Sequence, residues 1–257
     1  MKKLLMTGAA LASLIGTPAL AADMRLKAPP PPAWSWNGFY VGLNAGYSVA
    51  NDPFNQTLVS GGTVASSSID SRVTPNGGLF GGQAGYNYQT GNIVFGVEGD
   101  LQWSREHDTA GCGLECLSGG GIGVATLGSV EQNIKWFGTA RGRIGWTNND
   151  WLLYITGGAA WSGIDATTAA NITGIGVGGA FSNTTSFTKS GAVIGGGTEV
   201  HLGGQWTAKF EYLYIDLGSI SDTLVITAIG AGGTGILTTN SKIHDNLIRA
   251  GLNFKIN

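Results

Sequence analysis

Charge is scarce in this chain: Asp, Glu, Lys and Arg make up 12% of 257 residues, and the formal net charge is −2. Soluble domains ordinarily carry about twice that share. A chain so weakly and slightly negatively charged offers no electrostatic attraction to nucleic acid, so no nucleic-acid partner is expected. Long apolar runs are missing as well, apart from the start of the chain. A membrane-spanning helix needs about 20 consecutive apolar residues, and no later segment supplies them. Any membrane insertion must therefore use strands. Reactive groups are few: two cysteines and three histidines, His107, His201 and His244. The pair Cys112 and Cys116, in Cys-Gly-Leu-Glu-Cys, lacks the Cys-x-x-Cys-His haem attachment pattern. The glycine-rich residues 191–197 lack the lysine of a phosphate loop. His244 beside Asp245 invites a hydrolase triad, yet adjacency in sequence is not geometry, and no catalytic residue is assigned.

What the chain has instead is 44 glycines, eight tryptophans and 42% apolar residues. The length permits one large or two small domains. The glycines lie within alternating runs, not in a Gly-X-Y repeat, and the aromatic and apolar content argues against a disordered chain. Residues 1–22 open with Lys2 and Lys3, continue through an apolar run from Leu4 to Ile15, and end Thr-Pro-Ala-Leu-Ala-Ala. This is the pattern of a secretory signal peptide, too short for an anchor. Its removal would take the net charge to −4. Residues 23–35 include Pro29 to Pro32. They are expected to form an extended periplasmic tether, with a PxxP docking role as the alternative.

Residues 136–146 alternate between Trp136, Gly138, Ala140, Gly142, Ile144 and Trp146 on one parity and Phe137, Thr139, Arg141, Arg143 and Gly145 on the other. One face is apolar and the other polar, which is the signature of a half-buried strand. Residues 151–161 repeat the length, again with a tryptophan at each end. Ten residues at about 3.3 Å each, tilted about 45°, rise roughly 23 Å, close to the apolar height of an outer-membrane barrel. The same alternation recurs at 36–48, 78–88, 93–104, 191–202, 206–215 and 246–256. Tight turns are expected at 90–92, 148–150 and 203–205, and long connections at 51–76, 105–133, 162–189 and 216–243. Leu224 to Thr227 is a piece able to extend its strand above the membrane. Eight strands with connections alternating long and short predict an all-β, eight-stranded antiparallel up-and-down transmembrane barrel over residues 36–257. A soluble lipocalin-like barrel would also close at eight strands but would hold its apolar face inside.

The parity of the charges separates the two. Glu98, Asp100, Arg141, Arg143, Glu199, Lys209, Glu211 and Arg249 all fall on the face opposite the apolar one. An Arg or Lys facing lipid at the midplane costs about 2–4 kcal/mol, so this face is expected to line the lumen. Four acids and four bases can pair there, Glu98 and Asp100 with Arg143 and Arg141, forming a polar plug and not a wide pore. An aromatic girdle is expected, with Trp36, Trp146, Trp151 and Trp206 at the periplasmic rim and Trp103, Trp136, Trp161 and Tyr214 at the outer rim. In an exported protein Cys112 and Cys116 are expected to form a disulfide. No metal site is expected.

Ser35-Trp-Asn-Gly-Phe-Tyr-Val-Gly-Leu-Asn-Ala-Gly-Tyr47, after the proline run, resembles the opening of the small alphaproteobacterial outer-membrane barrels of the RopB and opacity-like type, the "porin family" outer-membrane proteins. Val97 to Trp103, Thr139 to Gly145, Lys209 to Tyr214 and Asn246 to Phe254 resemble that family's later strands. Such chains usually end on an aromatic residue read by the barrel-assembly machinery, whereas this one continues past Phe254 to Asn257. The resemblance implies a surface-exposed outer-membrane protein embedded among lipid and lipopolysaccharide, with a role in envelope integrity and host or extracellular contact through four outer loops. It also implies haem as a cofactor to consider, with His107 as the candidate. A narrow passive channel is the alternative function, and an enzyme acting on lipid is an outsider.

Overall fold

The computed structural model describes residues 34–60, 63–111, 125–174, 177–229 and 233–256. Ten strands follow in chain order: β1 Gly38–Ala50, β2 Asp52–Ser60, β3 Thr63–Val73, β4 Asn76–Thr90, β5 Ile93–Gly111, β6 Ala125–Asn148, β7 Trp151–Gly174, β8 Val177–Gly203, β9 Trp206–Ile229 and β10 Gly233–Ile256. Every neighbouring pair is antiparallel. The order β1-β4-β5-β6-β7-β8-β9-β10 closes on itself through β1 and β10, from Phe39 opposite Ile256 to Ala50 opposite Asp245. The cylinder therefore has eight staves.

The two additional strands correct the expectation of a polar connection at 51–76. On β10, β2 keeps the register of β1: Ala50 faces Asp245 and Phe54 faces Ser241. Likewise β3 continues β4, since Val49 faces Asn76 and Asp52 faces Val73. These segments are the first hairpin carried further, interrupted at Asn51 and at Thr74-Pro75. The other long connections are also largely strand, as β6, β7, β9 and β10 each run 24 residues and β8 runs 27. The tight turns lie at 91–92, 149–150 and 204–205, where Asn149 (φ 56°) and Gly204 (φ 59°) supply the left-handed residue that a short hairpin requires.

At one end, then, the cylinder has short turns and both described chain ends; at the other it continues as an extension. The ladder between β8 and β9 runs only from Gly203–Trp206 to Ala192–Asp216. That between β4 and β5 stops at Asn76–His107, and among the described residues β3 makes no ladder to β5. The extension thus parts into two four-stranded sheets, β5-β6-β7-β8 and β9-β10-β2-β3. β-bulges lie at this level, after Trp103, beside Lys135 and at Ile243/His244. A bulge bends its strand and redirects the ladder, which is how a closed wall can split. The sheets face each other over Phe54, Val73 and Val130, and Thr168 of β7 donates to Asp222 of β9 at 3.0 Å.

Around the cylinder below the bulges runs a belt of outward apolar side chains, among them Leu43, Val97, Leu153, Ile155 and Ile194, each over 60% exposed. No helix among the described residues is long and apolar enough to cross a membrane. The interior is layered. Nearest the turns Trp36, Val94, Leu152 and Tyr154 form a small apolar cluster, and polar and charged residues fill the lumen beyond it. Leu79, Phe137, Val193, Leu213, Ile215 and Leu247 form an apolar layer above them. That layer departs from the all-polar lumen expected from the sequence. The layer sits at the top of the closed cylinder and continues between the two sheets through Ile164, Leu217 and Ile220, where facing sheets need apolar inner faces.

Candidate functional site

The inward positions of β5, β6, β8, β9 and β10 bring all eight sequence-selected charges together, and all eight are buried. The ladder sets Glu98 opposite Arg141, and their side chains form an ion pair. Arg141 also reaches Asp100 and Glu211, both at 2.9 Å, while its Nε donates to Thr139 at 3.0 Å. Arg249 donates to Glu211 at 2.7 Å and to Asp100 at 3.0 Å. Lys209 Nζ lies 2.9 Å from Glu98, and Arg143 Nη1 lies 3.2 Å from Glu199. Of the two expected pairings of β5 with β6, Arg141 takes both acids closely, while Arg143 approaches Glu98 only at 3.7 Å.

Partners that charge parity alone did not single out complete the network. Tyr40 donates to Glu98 at 2.6 Å and Tyr154 donates to Glu211 at 3.1 Å. The Arg143 guanidinium lies between their rings, 4.8 Å from one centroid and 5.2 Å from the other. Asn87 accepts from Arg143 Nε, and Glu199 accepts from Thr207 and Asn253. The available signal was parity, since Tyr40 and Asn87 alternate with small and polar residues on the lumen side of their strands. Four acids against four bases leave the cluster formally neutral. Each carboxylate is engaged by at least one cation or several donors, so the arrangement offers no idle base or nucleophile. It fastens the staves to one another across the lumen.

The turn end is closed by the segment before β1. Trp36, expected in the lipid-facing girdle, is instead 3% exposed and points into the barrel mouth. Its Nε1 donates to Thr147 Oγ1 at 2.7 Å and to the Asn149 carbonyl at 2.9 Å, and its ring packs with Val94, Leu152 and Tyr154. The correction has a simple cause. Trp36 shares the parity of Tyr40, Asn44 and Ser48, the lumen face, and the mouth offers both an apolar wall and acceptors for its N–H. Trp34 and Ser35, expected in the tether, pack against this end too. Trp34 stacks on His201 at 3.9 Å beneath the Lys255 ammonium, which donates to the Ser35 carbonyl at 2.7 Å. About 10 Å³ of space remains among Trp36, Tyr40, Asn87, Glu199 and Thr207, room for one water at most.

Trp103, Trp146, Trp151, Trp161 and Trp206 are exposed on the outer face at the belt's two edges, while Trp136 and Tyr214 are partly covered there. His107 is exposed on β5, with Nδ1 2.8 Å from Asn133 and 3.7 Å from Glu131. His244 stacks on Tyr214 on the outer face, whereas Asp245 is buried inside, so these neighbours point opposite ways, as alternate strand residues must. Cys112 and Cys116 lie outside the described residues. Among those described, no group of His, Cys, Asp and Glu is placed to hold a metal ion.

Comparison with known proteins agrees with this architecture. The family model described as "Outer membrane protein beta-barrel domain" matches residues 7–255. The "31 kDa outer-membrane immunogenic protein" of Brucella melitensis is 33% identical over 96% of this chain and 97% of its own length. The "22 kDa outer membrane protein" of Rhizobium leguminosarum bv. viciae is 32% identical over 75% of this chain and 70% of its own. Among solved structures, the outer membrane protein OprG from Pseudomonas aeruginosa superposes with a TM-score of 0.50 at 13% identity, covering 87% of this chain and 99% of that one, a likeness of fold. The chain therefore belongs to the outer-membrane β-barrel family, among its small alphaproteobacterial members, and is a protein of the outer membrane.

Proposed function

We propose that this protein is a sealed outer-membrane barrel that supports the envelope and displays a rigid two-sheet extension outside the cell. Its tight turns and described chain ends then face the periplasm, and the outward belt meets lipid and lipopolysaccharide. The observation that carries this reading is the filled lumen: Trp36 in one mouth, eight mutually paired charges behind it, then an apolar layer. Eight buried, paired charges in a lumen about as wide as its own side chains leave little open volume, which favours a structural and surface role over passive transport. The word "immunogenic" in the name of the Brucella relative fits a protein displayed at the surface.

Purified protein reconstituted into planar bilayers tests the reading. Folded protein should leave the bilayer silent. Reproducible unitary conductance steps from folded wild-type protein would overturn it in favour of a narrow channel.

A further inference from the structure

Just beyond the belt, three carboxyl groups that the lumen network does not use are buried together. Asp52 on β2, Glu106 on β5 and Asp245 on β10 are each 1% exposed or less. Asp245 accepts from the Ser48 hydroxyl of β1. The Ser104 hydroxyl donates to Glu106 Oε1 at 2.8 Å. Glu106 Oε2 and Asp245 Oδ2 are buried with no donor, and the two carboxyls interact directly. Gly77 of β4 lies between Ser48 and Glu106 in the wall, where a side chain would run into the β5 backbone, 2.5 Å from the Arg105 carbonyl oxygen. Asp52 accepts the His244 N–H at 2.8 Å and Gln132 Nε2 of β6 at 3.0 Å.

The place matters as much as the composition. Glu106 and Gln132 belong to one sheet of the extension, and Asp52 and Asp245 to the other. The cluster lies at the foot of the seam between β3 and β5, where side chains must hold what backbone ladders do not. Two carboxyls in contact cannot both ionise without a cation between them, so one must keep its proton and donate it to the other. Lys189 of β8 shares the inward parity but donates to the Ser219 carbonyl of β9 at 3.0 Å, and among the described residues no cation pairs with these acids. The nearest on β10 is Arg249, four residues deeper and committed to Asp100 and Glu211. At this level β1 offers Ser48, β4 Gly77 and Leu79, β6 Gln132 and Ile134, β7 Ile164 and Ala166, β8 Phe187, and β9 Ile215 and Leu217, while Asp108 of β5, two residues beyond Glu106, accepts the Thr74 N–H across the seam at 2.7 Å. Asp222 of β9 is bound by Thr168 and Thr185. The charged neighbours Arg105, Lys135, Asp216 and Lys242 are exposed outside.

We infer that Asp52, Glu106 and Asp245 form a proton-held clasp between the two sheets, and that its deprotonation loosens the seam between β3 and β5. Burial agrees with this: it pushes Asp52 up to about 7 and Glu106 up to about 10, and raises Asp245. The sign follows directly. The closed seam favours the neutral acids, whereas opening hydrates them and restores ordinary carboxylate behaviour near pH 4. The clasp is at full strength below that pH. It weakens as pH rises, through about 7 for Asp52 and about 10 for Glu106. Each proton lost on opening raises the opening equilibrium about tenfold per pH unit.

Hydrogen exchange measured by mass spectrometry on the folded full chain in lipid nanodiscs, at pH 6 and pH 9, tests this. After correction for intrinsic chemistry, peptides from β2, β3 and the outer part of β5 should exchange at least about tenfold faster at pH 9, while belt peptides of β5 and β9 stay unchanged. Glu106→Gln supplies an amide donor to Asp245 without a titrating proton and should abolish most of the difference, as should Asp245→Asn by the reverse pairing. Equal protection of the seam at both pH values in the wild type would overturn the clasp, and needs no variant. So would acceleration shared equally by the belt, or a full wild-type response in both folded variants.

Discussion

Replacing Arg141 by methionine removes one cation from a cluster in which that side chain touches Glu98, Asp100, Glu211 and Thr139. Arg141 is 4% exposed, so water cannot reach the acids it leaves behind. The cluster passes from neutral to a net charge of −1, with Lys209 and Arg249 already engaged by Glu98, Asp100 and Glu211. Removing one partner of a buried ion pair costs about 3–5 kcal/mol, chiefly because the remaining charge stays desolvated. That is a large part of the roughly 5–15 kcal/mol that holds a typical domain folded. Reversible denaturant unfolding in detergent micelles, followed by tryptophan fluorescence and by heat-modifiable gel mobility, measures the loss. The double variant Arg141→Met with Glu98→Gln should recover part of it, with a coupling of about 0.5–3 kcal/mol, because the second change restores neutrality. If the single variant lay within about 0.5 kcal/mol of wild type, or the double were no better than the single, the lumen network would not be the fastening argued for.

Two further predictions concern the two faces of the wall. Leu43 lies midway along the belt portion of β1 and is 74% exposed on its outer face. Leu43→Arg should destabilise the barrel in lipid by about 2–4 kcal/mol, measured by unfolding in liposomes; a cost below about 0.5 kcal/mol would mean this face does not meet hydrocarbon. An epitope inserted between Ser60 and Thr63, at the tip of the β2–β3 hairpin, should be labelled by antibody on intact cells. The same epitope in the turn at 149–150 should be reached only after the outer membrane is permeabilised, and the opposite pattern would invert the proposed orientation.

Period-two alternation carried most of the fold. Eight charges on one parity marked the lumen face, and the tryptophans at 136, 146, 151 and 161 marked the belt's height. What stayed hidden lay where alternation loses its meaning. Residues 51–76 read as a polar connection because Ser, Gly and Thr there have no greasy face, yet paired strands beyond a membrane need none. The clasp acids escaped by narrow margins. Glu106 continues the parity of Glu98, Asp100 and Gln102, two residues past the expected strand end, and Asp245 precedes the expected start of the last strand by one. Aromatic clustering at strand ends made Trp36 look like a girdle residue, although its parity with Tyr40, Asn44 and Ser48 places it on the lumen face.

The abundance of glycine and the scarcity of charge have a common origin in the size of the lumen. An eight-stranded barrel is about as wide as its own side chains can fill. Eight charged side chains within a few residues' depth of one another would not fit if every inward neighbour also carried bulk. The ladder resolves this by setting small partners beside large ones. Gly85 faces Glu98, Gly158 faces Arg141, Gly96 faces Arg143, Gly197 faces Glu211, Gly251 faces Lys209 and Gly46 faces Arg249. A side chain on Gly96 would meet Arg143 Nε at 2.9 Å, and one on Gly85 would occupy the place of the Tyr40 hydroxyl that donates to Glu98. Each glycine costs backbone entropy, about 0.5–1 kcal/mol relative to alanine within a strand. That cost is offset only if the neighbouring charge lies flat enough to find its partner across the lumen. Glycine in this wall therefore acts as the complement of charge: it opens the volume in which an ion pair can close, and it limits how many charges the chain can carry.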